Sequence, residues 1–408
     1  MNSDNPRGVI ELGNLSLKCI IFKIKNDNSF EVLSTSVTAS EGIHNGSIIN
    51  LKKASDVIRF CISDAEKKAN VELKKINVIV EQPEFLCTKF SKHRKIDGSK
   101  IDKDDIEFLL KEAKKEVTIN DKNHSIIHIF NHNYIVDGKT FIEEPINVYA
   151  DFMSHEMTFI TMPKNNLRNI KEAFIDCDIE VERFFSNIFT LGAKLLNDNQ
   201  LKFGTIIIDL GFEKTSMGYF KNFALVHSST FPIGINHISK DISKVCSLNL
   251  DESEIIKNKT DFSFDDNNLL FDDNENLKKD YFNNSNFRKI SKNMIFDVME
   301  ARLEEILKKV KKEIISSGAN LDSGISFFVI GGGSNLTNLD KYCSNFFSTE
   351  VKKIGKNNLY QNQKIFEDKF DSCFGALKII REGWETEAIP EPVNNNSQKT
   401  SFFAKIFG

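Results

Sequence analysis

In each half of this chain an apolar strand ends in an acidic residue, one apolar residue and a glycine. The first instance is Gly8-Val9-Ile10-Glu11-Leu12-Gly13-Asn14 and the second is Thr205-Ile206-Ile207-Ile208-Asp209-Leu210-Gly211. A strand edge that delivers a carboxylate and then turns on a residue without Cβ lets backbone N–H groups approach a phosphate, while the carboxylate faces a hydrated Mg²⁺. Most isolated turns of this kind only reverse the chain. Here the context is repeated too: apolar runs at 18–24 and 31–37 follow the first loop, with the turn Asn26-Asp27-Asn28 between them, and runs at 215–220 and 223–228 follow the second. The shared order predicts an internal duplication whose two loops face each other across a nucleotide. A third cluster, Val329-Ile330-Gly331-Gly332-Gly333-Ser334-Asn335, follows another apolar strand and suits a backbone lying flat against a base and its α-phosphate.

Composition narrows the class. With 408 residues, 40% of them hydrophobic and 27% charged, the chain has material for two large cores, or roughly two to four domains. A net charge of −4 argues against a nucleic-acid partner. No apolar run reaches the roughly 18 residues that a membrane-spanning helix needs, and Met1-Asn2-Ser3-Asp4-Asn5-Pro6-Arg7 lacks the apolar core of a signal peptide, so a cytosolic protein is expected. The seven cysteines are scattered without a C-x-x-C pair and read as reduced core residues, with neither zinc nor disulfides implied. No Ser-His-Asp or metal-ligand spacing stands out, and no catalytic residue is assigned.

Residues 8–81 read as three strands, a helix with Ala54, Val57, Ile58, Cys61 and Ala65 on one face, and a buried strand at 76–80. Between 82 and 162 the character changes. A charged helix carrying Ile106, Leu109, Leu110, Ala113 and Val117 leads into strands at 125–130, 134–136 and 148–152, so this stretch reads as an inserted α+β subdomain. A helix at 167–174 and the segment 184–196 resume the first domain through 200. The second domain takes 201–240 and 321–385. Residues 241–320 form a polar, helical subdomain containing a long amphipathic helix (Ile295, Val298, Met299, Leu303, Ile306, Leu307, Val310, Ile314) and an acidic, Asn-rich stretch at 261–280 that reads as a solvated or partly disordered loop.

The chain closes on a linker, 386–397, too rich in Pro, Glu and Asn to build a core. A final segment, 398–408, follows it. On a helical wheel Phe402, Phe403, Ile406 and Phe407 share one side, flanked by Lys399 and Lys405. Phenylalanine inserts at the headgroup boundary and lysine meets anionic lipid, so the segment is expected to be an amphipathic membrane anchor. The alternative is a tail that folds back into a groove of its own protein.

Duplicated phosphate loops, a triple-glycine loop, a small insertion in the first half and a tethered terminal helix together resemble the actin-like ATPases, and within them the bacterial FtsA cell-division family. The most specific piece is in the insertion. Tyr134-Ile135-Val136-Asp137-Gly138 followed by Ile142-Glu143-Glu144-Pro145-Ile146 is similar to that family's strand, Val-Asp-Gly turn and Pro-containing strand entry. Glu300-Ala301-Arg302-Leu303-Glu304-Glu305-Ile306 is similar to its Ala-Arg-x-x-Glu-Ile segment. The resemblance implies duplicated actin-like, ribonuclease-H-like domains around a cleft that takes ATP and Mg²⁺. Nucleotide contacts are implied for Glu11, Gly13, Asn14, Lys18, Asp209, Gly211, Lys214, Thr215, Gly234, Gly331, Gly332, Gly333 and Ser334, for Arg302 and Glu305 at the ribose and base, and for Asp209 at the metal. It also implies self-association into filaments, contact with other division proteins through the insertion, and tethering of the tubulin-like division protein FtsZ to the cytoplasmic face of the inner membrane at the division site. Two departures matter. Glu11 stands where the pattern has Asp, and Phe212-Glu213-Lys214 replace the small residues and Thr that follow the second Asp-x-Gly. A negative charge beside phosphate is costly, so hydrolysis is expected to be weak or absent. An active ATP-hydrolysing enzyme and a pilus-assembly protein of the same fold are the alternatives.

Four apolar side chains contribute at most about 1.5–3 kcal/mol each on burial, offset by the ordering of the helix, so a single tail gives marginal, reversible lipid binding that an assembly multiplies. In co-sedimentation with anionic vesicles, the full chain should pellet, whereas a chain ending at Asn396 and a Phe403→Glu variant should both remain in solution. Equal pelleting of all three would dispose of the anchor.

Overall fold

The computed structural model describes residues 5–25, 29–263, 270–321, 324–354 and 368–382. The turn expected at 26–28, the linker and the terminal segment with Lys399, Phe402, Phe403, Lys405, Ile406 and Phe407 lie outside the described residues. The chain divides into two compact units. One takes the described parts of Met1–Gly204, Phe220–Ser229 and Asn362–Gly408, the other those of Thr205–Tyr219 and Thr230–Gln361.

The first unit opens with β1 (Arg7–Leu12), β2 (Ser16–Ile24) and β3 (Phe30–Ala39), followed by a small hairpin, β4 (Ile43–His44) and β5 (Ser47–Ile48). Helix α1 (Leu51–Ala69) starts where the Asn50 side chain accepts the Lys53 N–H at 3.0 Å, and stops where Asn70 takes a left-handed conformation, φ 53°. Its buried face, Ala54, Ile58, Cys61, Ile62 and Ala65, follows helical spacing. Strand β6 (Lys75–Val80) is buried from Ile76 to Val80 and apolar there except at Asn77, as suits a central parallel strand.

The insertion differs from its sequence reading at the entrance. It begins with a 15-residue strand, β7 (Leu86–Lys100), and not with the charged helix. Helix α2 (Lys103–Asn120), strand β8 (His124–Val136), strand β9 (Lys139–Phe141) and the long strand β10 (Tyr149–Pro163) complete an antiparallel sheet of order β7-β10-β8-β9. Strand β7 was hidden by Lys89, Lys92, Arg94 and Lys95, charges that suit the edge of a sheet and obscure an apolar alternation. Helix α2 begins in a reciprocal cap: Asp102 accepts the Asp105 N–H at 2.9 Å, and Asp105 accepts the Asp102 N–H at 3.0 Å. Its Ile106 and Leu109 pack with Ile96, Tyr134, Val136 and Met153, and its Leu110, Ala113 and Val117 with Ile129, Met157 and Phe159. The Val-Asp-Gly turn holds Asp137 at φ 46° and Gly138 at φ 79°, and the Asp137 carboxylate accepts the N–H groups of Asp151 (3.1 Å) and Phe152 (2.8 Å) on β10. His155 of β10 is fully buried and stacked on Tyr134 at 4.3 Å; burial pushes its imidazole down to about 3 and keeps it neutral.

After α3 (Lys164–Ile175), strand β11 (Glu180–Ser186) closes the first sheet in the order β11-β6-β1-β2-β3, with β1, β6 and β11 parallel and the β1-β2-β3 meander antiparallel. Helix α4 (Asn187–Leu195) begins over the buried Glu81 carboxylate, which accepts the Ile188 N–H at 3.0 Å and the Ser186 hydroxyl at 2.7 Å. Helix α5 (Asp198–Phe203) leads out of this part of the chain.

The second pass repeats the opening with β12 (Thr205–Leu210), β13 (Thr215–Lys221) and β14 (Ala224–Phe231). Helices α6 (Asn236–Cys246), α7 (Leu250–Lys259) and α8 (Lys292–Ser317) follow, then β15 (Ser326–Ile330), α9 (Leu339–Phe347) and β16 (Lys352–Lys353). The sheet order is β14-β13-β12-β15-β16, with β12, β15 and β16 parallel. The acidic stretch is not simply solvated. Phe262, Leu270, Phe271 and Leu277 are buried, and Glu252 at the start of α7 accepts the N–H groups of Asn284 and Ser285 at 2.6 and 3.0 Å. Burial alone would raise the Glu252 carboxyl, but these bonds and those from Ser285 Oγ and Asn249 hold it down at about 2.

Helix α10 (Asp371–Glu382), within the range that the sequence assigns to the second domain, packs on α4 and β1 of the first unit. Gly375 makes that crossing possible: a Cβ there would lie 1.8 Å from the carbonyl oxygen of Thr190. Overpacking of this kind costs about 1–3 kcal/mol, so Gly375→Ala should lower the urea midpoint of the first unit by a readily measured amount.

Candidate functional site

The first loop is held by its own charges. The carboxylate of Glu11, at the end of β1, accepts Lys18 Nζ at 3.0 and 3.2 Å and Ser372 Oγ of α10 at 2.5 Å. Gly13 is required by the turn, because a Cβ would meet the Ser16 carbonyl at 2.5 Å. Asn14 exchanges two hydrogen bonds with Asn45, its amide donating to Asn45 Oδ1 at 2.9 Å and its Oδ1 accepting the Asn45 N–H at 2.8 Å.

In the second unit the expected residues assemble around the end of β12. The Gly211 N–H donates to the Lys214 carbonyl at 2.9 Å, closing the turn. The N–H groups of Ile235 and Asn236 then bind the carbonyls of Gly211 and Phe212 at 3.0 and 2.9 Å, so the loop is zipped to the start of α6. Gly234 sits beneath this zipper, where a Cβ would lie 2.4 Å from the Phe212 carbonyl. Thr215 is fully buried, and its hydroxyl donates to the Ile233 carbonyl at 2.7 Å. It therefore pins the loop and turns no hydroxyl outward. Gly331, at φ 82°, passes so near that a Cβ would stand 2.2 Å from Asp209 Oδ1, and Gly333 packs against Leu210 and Ile235. Gly332, exposed between them, has nothing within 4 Å of its Cβ position, and Ser334 Oγ donates to the Gly331 carbonyl at 2.7 Å.

Glu213 corrects the sequence reading, which put its charge where phosphate oxygens would sit. Its carboxylate turns to α6, accepting Asn236 Nδ2 at 2.7 Å and Lys240 Nζ at 2.9 and 3.0 Å, with His237 Nδ1 at 3.9 Å. Burial raises this carboxyl, but the bonds from Lys240 and Asn236 outweigh it and hold it below the usual range. Arg302 and Glu305 are paired with each other at 2.5 Å, and Arg302 also binds Asp241 of α6 at 2.5 and 3.1 Å. Lys240, Asn236 and Ser372 were not visible as site residues in the sequence. Lys240 alone left a signal, one turn into a helix that follows a glycine loop.

The model of the family described as "Cell division protein FtsA" matches residues 206–375, and that of the "SHS2 domain inserted in FTSA" matches 85–161. The chain belongs to the FtsA cell-division family. FtsA relatives are similar over nearly its whole length. That of Buchnera aphidicola from Acyrthosiphon pisum is 23% identical across 98% of this chain and 94% of the relative, and that of Neisseria meningitidis serogroup B is 23% identical across 96% and 93%. Among solved structures, a PilM–PilN type IV pilus biogenesis complex aligns with a TM-score of 0.62 at 10% identity, covering 92% of this chain and 98% of that one. MreB5 of Spiroplasma citri bound to ADP aligns at 0.54 and 12%, covering 93% and 98%. The fold is actin-like, with the SHS2 insertion in the first half.

An adenine nucleotide is the group that an actin-like fold implies. The backbone of this FtsA-family chain fits one: Gly331 leaves no room for a side chain beside Asp209, and Gly332 leaves an open face. Among the described residues no group of three or more His, Cys, Asp or Glu side chains is placed to hold a metal. A Mg²⁺ that takes most of its ligands from water and phosphate needs no such group.

The Glu213 carboxyl, depressed in the folded state, contributes stability that is complete above the ordinary carboxylate pKa of about 4.3 and is lost as pH falls through the lower folded value. Thermal melts from pH 6 to pH 3 should therefore show a shallower acid loss for Glu213→Gln than for the wild type, and the two curves should converge at the acid end.

Proposed function

We propose that this chain is a division-site adaptor: it binds ATP with Mg²⁺, turns it over slowly or not at all, self-associates, and tethers FtsZ to the cytoplasmic face of the inner membrane through its terminal segment. The observation that carries this reading is the SHS2 insertion within a chain that matches FtsA relatives over nearly its whole length. The backbone of Gly211 and of 331–334 would hold phosphates and adenosine, Asp209 would face the metal, and Lys214 would supply positive charge. When bound, Mg²⁺ would neutralise phosphate charge. Arg302 and Glu305, joined to α6 through Asp241, would border the ribose side. The insertion would contact other division proteins and neighbouring copies, and no nucleic acid is involved. Likeness to a pilus protein is a likeness of fold and lends that alternative nothing more. An active ATPase fits less well, because phosphoryl transfer needs preorganised cations, whereas Lys18 is paired to Glu11.

The FtsZ contact is assigned to the polar helical subdomain, on the exposed face of α8. Double charge reversal of Lys308 and Lys312 should weaken binding of an FtsZ C-terminal peptide at least tenfold in a fluorescence titration and leave sedimentation of the self-associated form unchanged. Unaltered peptide binding would argue for a different surface or a different partner.

A further inference from the structure

We propose that Glu213 is an intramolecular anion that occupies the cationic start of α6, so that the second phosphate loop favours adenosine diphosphate over the triphosphate. This rests on the nucleotide reading above and concerns the regulation of the same site. The observations lie within one unit. Glu213 leaves the loop between the closing residues Gly211 and Lys214, and its carboxylate meets Asn236 Nδ2, Lys240 Nζ and, at 3.9 Å, His237 Nδ1. These are side chains of the first turns of an eleven-residue helix, whose positive dipole end also favours negative charge. The Glu213 side chain is 15% exposed, and Lys240 stays 46% exposed, within reach of an incoming anion. Two backbone bonds from 235 and 236 hold the loop in the position that makes this contact.

An anionic ligand at this loop has two courses. It displaces the carboxylate from Lys240, or it binds beside a fixed negative charge. Either course costs more for each added phosphate, and a unit charge several ångströms away in a medium of effective dielectric about 20 changes affinity by about tenfold or more. The terminal phosphate of a triphosphate bears this cost most heavily, whereas the adenosine face at Gly332 is indifferent to it.

The test is calorimetric titration of the full chain with ADP and with ATP, both with Mg²⁺, for the wild type, Glu213→Gln, Lys240→Gln and the double variant. Glutamine keeps the shape and hydrogen-bonding reach of Glu213 and removes its charge. The wild type should bind ADP at least as tightly as ATP. Glu213→Gln should tighten ATP about tenfold and ADP by less, whereas Lys240→Gln, which strands the carboxylate, should weaken both and ATP more. Opposite signs are the signature of a competing anion; a tie that only stiffened the loop would weaken binding when cut from either side. A Glu213→Gln protein whose preference between ATP and ADP is unchanged, or a Lys240→Gln protein that gains ATP affinity, overturns the inference while leaving the nucleotide site standing. If none of the four proteins binds either nucleotide, the nucleotide reading itself fails and the inference falls with it.

Discussion

Three consecutive residues of α6 hold three different elements, and the second unit is organised around that fact. Ser239 donates to Glu254 of α7, Lys240 binds Glu213 of the loop after β12, and Asp241 binds Arg302 of α8. Successive side chains on a helix point about 100° apart, so one turn of α6 fixes its orientation against three neighbours at once. The contact with α7 is reinforced from behind. Lys257 is fully buried and its ammonium binds both oxygens of Glu254, at 2.7 Å each, so removing either partner would leave a charge without compensation. Rotation of α6 is opposed on every side, and the loop it holds inherits that rigidity.

The same loop is fixed from the opposite direction by absence of side chains. Gly234 lies against the carbonyls of 211 and 212, Gly331 against the carboxylate of Asp209, and Gly333 against Leu210. At each place a methyl group would fall well inside van der Waals contact. Thr215, buried and bonded to the Ile233 carbonyl, completes the closure. Backbone groups held this closely need no rearrangement to present a fixed surface to a ligand, which is what makes a backbone cradle effective.

What was legible in the sequence was what depends on local periodicity and on glycine. Apolar runs marked β1, β6, β12 and β15, helical spacing marked α1, α2 and α8, and the repeated order of loop and hairpin marked the duplication. Strand β7 escaped because an edge strand rich in lysine carries little apolar alternation. The packed residues of the acidic stretch escaped for a related reason: Leu270, Phe271 and Leu277 are buried through irregular backbone, where no period betrays them. At the site, the glycines announced themselves, but the partners of the charges did not. Nothing local tells Glu213 to turn toward Lys240, or Ser372 to reach Glu11 from the far end of the chain, since both contacts are products of tertiary packing. Helix α10 was assigned to the wrong half on the same account, because sequence order says nothing about which sheet a terminal helix returns to.

That return sets an order of assembly on the ribosome. The surface of α4 at Thr190 is made to receive Gly375 without a side chain intervening, and Gly192 on the same helix lies against Phe220, which is translated before α10. The first unit thus draws on three separate stretches of chain. When residue 204 has been made, its sheet can pair, but the faces of β1 and α4 that α10 covers are still open to water. At synthesis rates of about 5–20 residues per second, α10 is made roughly 10–35 seconds after α4. Over that interval the nascent protein carries an uncovered apolar seam, and the half that begins first is the half that is finished last.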